Sequence, residues 1–348
     1  MKRLIKRTAS KIPGASPALK RAWVQARRVG ERARFAVAGP PAPEQAWLLA
    51  SSGRSGSTWL GDMLAALPGV QAIFEPLDPR NSARYRDLMH WPPDAPSSAL
   101  RRHYLRPTEP APPWAEFWEQ VLRGQVRTYL TDYDRTSFFP RRFLIKSIRA
   151  NMMLGFVDEQ FHPPIILLAR HPGAVVNSMF YRVRASWPAS ARDLLSQEKL
   201  VADHLQPWVA QIEQVQDGFE ALALWWAVEN KVGLSQMAGR RHFLIFYEDL
   251  TLRPRQTMNA LLRWLGAPPE ALPQARFQRL SRMTSVTQRQ SAETDAMKRL
   301  SAWQRELSGA EQRIILQWAE RLEIPWYDAG ALPRQSSGPR KAQSHAKT

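Results

Sequence analysis

The sequence predicts an α/β fold: a three-layer α/β/α arrangement with a central parallel sheet, plus a helical insertion rich in proline and aromatic residues. Three observations carry this. Short, continuous apolar runs recur at 47–51, 71–74, 142–145, 164–169 and 242–247, the pattern of strands buried on both faces. Segments of helical period separate them, as crossover connections between parallel strands require. The first run leads into a Gly/Ser loop that opens a helix.

Taken in order, residues 1–15 read as a basic arm, and Ser16 before Pro17 supplies a helix start. Leu19, Trp23, Ala26 and Val29 then recur at helical spacing among arginines. A solvated terminal helix packed loosely on the domain is the first reading. A helix for an anionic membrane or an acidic partner is the second. Gly39-Pro40-Pro41-Ala42-Pro43 is a linker, which closes an N-terminal unit over 1–43 and starts the folded domain at 44. Strand 47–51 is followed by helix 57–67 and strand 71–74. Residues 78–140 interrupt the alternation with prolines and aromatics and are expected to form an insertion, a lid over an acceptor. Strand 142–145 ends in Lys146, and 149–161 is helical. Strand 164–169 runs into a helix reaching about 184. A long helix over 207–238, a strand at 242–247 and helices at 253–265 and 309–322 complete the domain near 330. Residues 331–348 read as a disordered basic tail.

Charge and composition exclude several classes. The net charge is +18 over 348 residues. Residues 1–34 hold eleven Lys/Arg against Glu31 alone, and 331–348 hold four with no acid, which leaves only +4 for the 296 residues between. A duplex-binding domain would carry that charge on its folded face, so no specific nucleic-acid partner is expected. Cysteine is absent, which removes disulfide frameworks, Cys-ligated metals and thiol catalysis together. This absence is compatible with a reducing cytoplasm. No apolar stretch approaches the roughly 20 residues of a membrane crossing, and the N-terminus lacks the apolar core of a secretory signal. The expected location is therefore the cytoplasm, with peripheral membrane contact through residues 1–34 under the second reading of the arm. The sequence leaves the oligomeric state open.

The loop Ser51-Ser52-Gly53-Arg54-Ser55-Gly56-Ser57-Thr58 carries most of the chemistry. Its small residues let the backbone approach a ligand, and unpaired amides at a helix start attract an anion. Arg54 adds a fixed charge; Ser57 and Thr58 add hydroxyls. Aligned to a P-loop, Ser57 stands where the essential lysine belongs, which disfavours a nucleotide kinase. The run Arg54-Ser55-Gly56-Ser57-Thr58-Trp59 resembles the 5′-phosphosulfate loop of sulfotransferases that use 3′-phosphoadenosine 5′-phosphosulfate. Arginine at its head is closer to the carbohydrate and tyrosylprotein branches, as is Ile73-Phe74-Glu75-Pro76-Leu77. The resemblance spans roughly 46–328 and implies a P-loop-NTPase-like fold, with residues 54–59 as donor-binding.

A second motif, Ala169-Arg170-His171-Pro172 with Ser178 eight residues after the arginine, resembles the family's 3′-phosphate clamp. It implies that Arg170 and Ser178 hold the donor's 3′-phosphate, which suits an arginine fork. The family usually has Asp where His171 stands. Phe246-Tyr247-Glu248-Asp249-Leu250 is similar to a family strand end whose acids are expected to be structural. Arg289 to Ser291 with Trp303 occupies the place of a C-terminal donor loop.

The resemblance implies sulfuryl transfer, in which the migrating group is less charged than a phosphoryl, so no metal is required. Arg54 would balance charge on the leaving oxygen and Lys146 would face the sulfuryl oxygens. Glu75 is the expected general base, its direction held by Pro76 in an extended backbone. His103, His162 and His204 read as loop or surface. The acceptor is expected to be a hydroxyl or amine of a small molecule, glycan or glycolipid, with Tyr85, Trp91, Tyr104, Trp114, Phe117 and Trp118 either stacking on it or forming the insertion's own core. A nucleotide kinase and a nucleic-acid-binding protein acting through its basic tails are the alternatives.

Overall fold

The computed structural model describes residues 17–96, 98–128, 131–132, 140–182, 187–272 and 296–340. The arm 1–16, Arg289, Ser291 and the last eight residues lie outside these. So do the side chains of Leu19, Trp23 and Ala26.

Six strands form one sheet: β1 (Trp47–Ser51), β2 (Val70–Phe74), β3 (Arg142–Ser147), β4 (Ile165–Ala169), β5 (His242–Phe246) and β6 (Gly338–Arg340), in the order β2-β3-β1-β4-β5-β6. The first five pair in parallel and β6 antiparallel to β5. Their alternating side chains feed two cores. Leu48, Ala50, Ile145, Leu167 and Phe246 lie in one cluster; Leu49, Leu144, Ile166, Leu168 and Ile245 lie in the other. Both faces are apolar, so both must be covered by helices.

The helices that position the site are α1 (Pro17–Ala38), α2 (Ser57–Leu64), α3 (Ala83–Leu88), α4 (Pro112–Leu122), α5 (Leu154–Phe161), α6 (Pro172–Asn177), α7 (Phe219–Met237), α8 (Tyr247–Leu252), α9 (Pro254–Trp264), α10 (Ala302–Glu306) and α11 (Gly309–Arg321). Leu60, Met63 and Leu64 of α2 join Met258, Leu261 and Leu262 of α9 in one core, while α4, α7 and α11 supply the other.

Several expectations are corrected. The helix expected over 207–238 is broken, because Gly218 has φ 111° and α7 starts only after it. The tail is ordered to Arg340: Asp249 accepts the Ser337 N–H (2.7 Å) and hydroxyl (2.8 Å), and Ser337 Oγ accepts the Phe246 N–H, which lays β6 on the edge of β5. The insertion's aromatics Tyr85, Tyr104, Trp114, Phe117 and Trp118 are buried in the main core; among those six only Trp91 stays partly open. His103 is not a free loop residue but stacks on Trp114 at 4.6 Å, and burial lowers its pKa to about 4.

The N-terminal helix α1 is clamped rather than loose. Arg28 donates to Asp132 (2.9 Å) and to the Thr128 carbonyl (2.6 Å), while Arg127 pairs with both Asp132 (2.7 Å) and Glu31. Phe35 meets Phe143 edge-on at 6.3 Å. Losing one charge from such a buried group leaves the others uncompensated, at a cost of about 3–5 kcal/mol.

Candidate active site

Strand order places the site. From β1 the chain crosses to β2 and β3 on one side and then to β4 on the other, so connections leave the ends of β1 and β4 in opposite directions. In open α/β sheets the crevice at such a reversal is where ligands bind. The Arg54 loop follows β1, Arg170 follows β4, Glu75 follows β2 and Lys146 is the penultimate residue of β3. All four sit at the carboxyl edge.

The first loop and the second motif meet directly. Arg54 Nε donates to Ser178 Oγ at 3.0 Å, and Arg170 donates to the Arg54 carbonyl at 2.9 Å. Burial first, then Arg170 and Arg182, holds the Arg54 guanidinium below its ordinary pKa. Ser55 Oγ, Ser51 Oγ and Arg170 Nε are buried with no hydrogen-bond partner. Buried donors in that state are expensive, and an anion would satisfy them. No side chain caps α2 at Gly56, so the first-turn amides at Ser57 and Thr58 have no capping side chain, as at helix starts that bind anions.

Glycine is required at 56. Its φ is +92°, and a Cβ there would stand 2.4 Å from the Tyr247 ring. The same ring carries the Arg170 guanidinium at 4.4 Å and meets Trp59 edge-on at 6.1 Å. Tyr247 is thus a shared wall for both loops. In the sequence Tyr247 reads only as part of a strand end.

His171 caps α6: its Nδ1 accepts the Gly173 N–H at 3.1 Å, leaving Nε2–H to donate to the Asp328 carbonyl at 2.9 Å. It stacks on Trp303 at 4.2 Å, and burial lowers its pKa to about 4. Imidazole nitrogen therefore does the capping that a carboxylate does at a helix N-terminus. Glu248 accepts the His171 N–H (3.0 Å) and the Tyr327 hydroxyl (2.9 Å), so that acid is structural.

Glu75 departs from the expected backbone. Its φ is +50° rather than extended, although the following Pro76 disfavours compact conformations. Three hydrogen bonds hold it there. Glu75 N–H donates to the Lys146 carbonyl (2.8 Å), while its own carbonyl accepts from Asp78 N–H (3.1 Å) and Asn81 Nδ2 (2.8 Å). Its carboxylate pairs with Lys146 and accepts the Ile148 N–H at 3.1 Å, with Arg149 at 4.0 Å. Arg149 also reaches Asp78 at 3.6 Å. Lys146 Nζ lies 4.6 Å over the Phe74 ring. The structure thus joins Glu75 to Lys146 in one pair and Arg54, Arg170 and Ser178 in another group. Arg149 and Asp78 carry no sequence signal beyond their residue types, and Tyr247 only its place in a strand-end motif.

The largely parallel sheet with a Gly/Ser loop and buried, unpaired donors at its switch point defines a three-layer α/β fold with a crevice suited to an anion. A model of the sulfotransferase family matches residues 49–271, and the chain belongs to that family. Among solved structures it is similar to the sulfotransferase domain from the curacin biosynthetic pathway, at 20% identity over 80% of this chain and 97% of that one, with a TM-score of 0.43. It is also similar to the sulfotransferase domain of the Synechococcus PCC 7002 olefin synthase, at 21% identity over 83% and 96%, with a TM-score of 0.41. Mouse sulfotransferase SULT7A1, complexed with PAP, shares 13% identity over 85% and 90%, with a TM-score of 0.39. No curated protein matches.

Proposed function

We propose that this sulfotransferase takes its sulfuryl group from 3′-phosphoadenosine 5′-phosphosulfate and passes it to a hydroxyl or amine of a small molecule, most simply a glycan or glycolipid. The observation that supports the donor is the joined cluster of Arg54, Arg170 and Ser178, with Ser55 Oγ and Arg170 Nε buried beside it without partners. The residues fit a ligand with an anion at each end. Arg54, the hydroxyls of Ser57 and Thr58 and the loop amides would hold the 5′ side, with Ser55, Gly56 and Trp59 shaping the loop. Arg170 and Ser178 would hold the 3′-phosphate.

When bound, this donor supplies a sulfuryl group on a good leaving phosphate. Lys146 turns from Glu75 to the sulfuryl oxygens, and Arg54 balances charge on the departing bridge oxygen. Glu75, released at one carboxylate oxygen, accepts the acceptor's proton as the acceptor oxygen bonds to sulfur and the bridging S–O bond breaks. Glu75 and Lys146 exchange partners within one step. No metal enters this reading.

Thermal stabilisation by adenosine 3′,5′-bisphosphate against 5′-AMP tests the donor. At about 100 times Kd a ligand adds roughly 2.7 kcal/mol, so the bisphosphate should raise the melting temperature clearly and 5′-AMP far less. Equal shifts would remove the 3′-phosphate from the proposal.

A further inference from the structure

Between the insertion and α7 sits an ion pair that the proposed reaction does not use. Arg102 Nε lies 3.0 Å from Glu229 Oε1, and both side chains are buried. Burial raises the Glu229 pKa, while Arg102 and then the Ser52 hydroxyl oppose that rise. The pair does not close on itself, because Arg102 Nη2 is buried with no hydrogen-bond partner. A buried pair of imperfect geometry is weak support for a fold, since apolar residues of similar volume often serve as well. What the pair holds in place is more specific.

Arg102 reaches the Glu75 carboxylate through one residue. Its Nε also donates to the Ile148 carbonyl at 3.1 Å, and its Nη1 donates to the Arg101 carbonyl at 3.1 Å. Ile148 in turn donates its N–H to Glu75 Oε2 at 3.1 Å. It lies just beyond β3, so Arg102 rather than the sheet ladder holds its carbonyl. Arg149, the next residue, stands 4.0 Å from the same carboxylate oxygen. The other end of the pair meets the Arg54 loop. Asn230 follows Glu229 on α7 and donates to Ser52 Oγ at 3.0 Å and to the Trp226 carbonyl at 2.7 Å. Ser52 is two residues before Arg54.

We propose that Arg102, braced by Glu229, is a positioning residue for sulfuryl transfer: through Ile148 it aims the Glu75 carboxylate, while Asn230 on the same turn of α7 steadies the Arg54 loop through Ser52. This rests on the reading of Glu75 as the base. One turn of helix then keeps proton acceptor and donor seat in register, although the two come from different strands. A catalytic group displaced by about 1 Å can cost about 10²-fold in rate. Aiming one carboxylate thus explains a buried pair that adds little stability.

Two variants of the full-length chain test this. Arg102→Lys keeps the charge opposite Glu229 but lacks the fork that spans two carbonyls. Arg102→Met/Glu229→Leu removes both charges at similar volume and should melt close to wild type. Turnover of 3′-phosphoadenosine 5′-phosphosulfate is followed with water as the acceptor, which releases adenosine 3′,5′-bisphosphate and sulfate. Both variants should lower kcat by about tenfold or more with donor KM unchanged, and hydrogen exchange at the Ile148 amide should quicken by a similar factor. Asn230→Ala should instead weaken bisphosphate affinity by about fivefold, with exchange at Ile148 unchanged. Unchanged Ile148 exchange in both Arg102 variants would overturn the grip. Faster exchange with wild-type kcat, or a lowered melting temperature with kcat retained, would overturn its bearing on the reaction. Glu75→Gln is run alongside: wild-type kcat there would end the reading of Glu75 as the base, while the exchange measurement still decides whether Arg102 holds Ile148.

Discussion

The Arg54 guanidinium donates to the Ser178 hydroxyl at 3.0 Å, joining residues 124 positions apart. Each belongs to a different anion-seeking motif, so the two halves of the proposed donor site are wired together before any ligand arrives. Ser178→Ala therefore frees Arg54 and, under the proposed reading, also removes a contact to the 3′-phosphate. Donor affinity should fall by about 1.5–3 kcal/mol for Arg170→Ala and by a smaller amount for Ser178→Ala. Acceptor KM should stay close to wild type. Isothermal titration with adenosine 3′,5′-bisphosphate reads the donor side directly; unchanged affinity in Arg170→Ala would detach the second motif from the site.

Glu75→Gln keeps shape while removing basicity. Donor affinity should survive and kcat should fall by about 10²-fold or more. Because Glu75 also holds Lys146, the single substitution cannot tell a base from an anchor. A cycle with Lys146→Met does so. If Glu75 acts only through Lys146, the double variant will be no slower than Lys146→Met alone; an independent base slows it further.

Gly56→Ala should be costly out of proportion to one methyl group. The residue sits at φ +92°, and the new carbon would meet the Tyr247 ring. A strained left-handed residue costs about 1–3 kcal/mol, before the clash is counted. Thermal melts and bisphosphate titration should both show the loss. Adding Tyr247→Ala should recover part of the stability and none of the affinity, since Arg170 then loses its aromatic support.

Stability should fall on acidification. Burial holds His103 and His171 at about 4, below the ordinary 6.5. Between those values the unfolded chain binds more protons than the folded one, so stability rises with pH there and is lost as pH drops from 6.5 towards 4. Melting temperatures measured across that window should decline steadily. His171→Asn, which keeps an acceptor for the Gly173 N–H but cannot titrate, should flatten the curve. A wild-type melting temperature independent of pH would contradict the neutral burial of these rings.

The parts of this architecture that were legible in the sequence are those written in contiguous residues. Ile165–Ala169 reads as a buried strand because five apolar residues in a row have few other uses, and the loop at 51–58 reads as an anion seat because its chemistry is local. Gly338–Arg340 was illegible as a strand. It has no apolar alternation, and what lays it down is Asp249 gripping Ser337 from 88 residues away. The backbone of Glu75 misled for the same reason. The preference imposed by Pro76 is real, but hydrogen bonds from Asn81 and to the Lys146 carbonyl outweigh it. Likewise the Lys146–Glu75 pair spans 71 positions, and only the parallel β2–β3 register brings its members together.

Tyr247 has one further consequence. Its ring touches the turn at Gly56 on one flank and the Arg170 guanidinium on another, so a single rigid side chain sets the gap between the two cationic loops. Under the proposed reading the crevice behaves as a caliper. A ligand anionic at only one end closes half of it, and a ligand whose two anions are spaced wrongly closes neither half well. Selection by length would precede any selection by base or by sulfur. Replacing Tyr247 with a residue of another girth should shift which bis-anionic nucleotides fit, even with every charge in place.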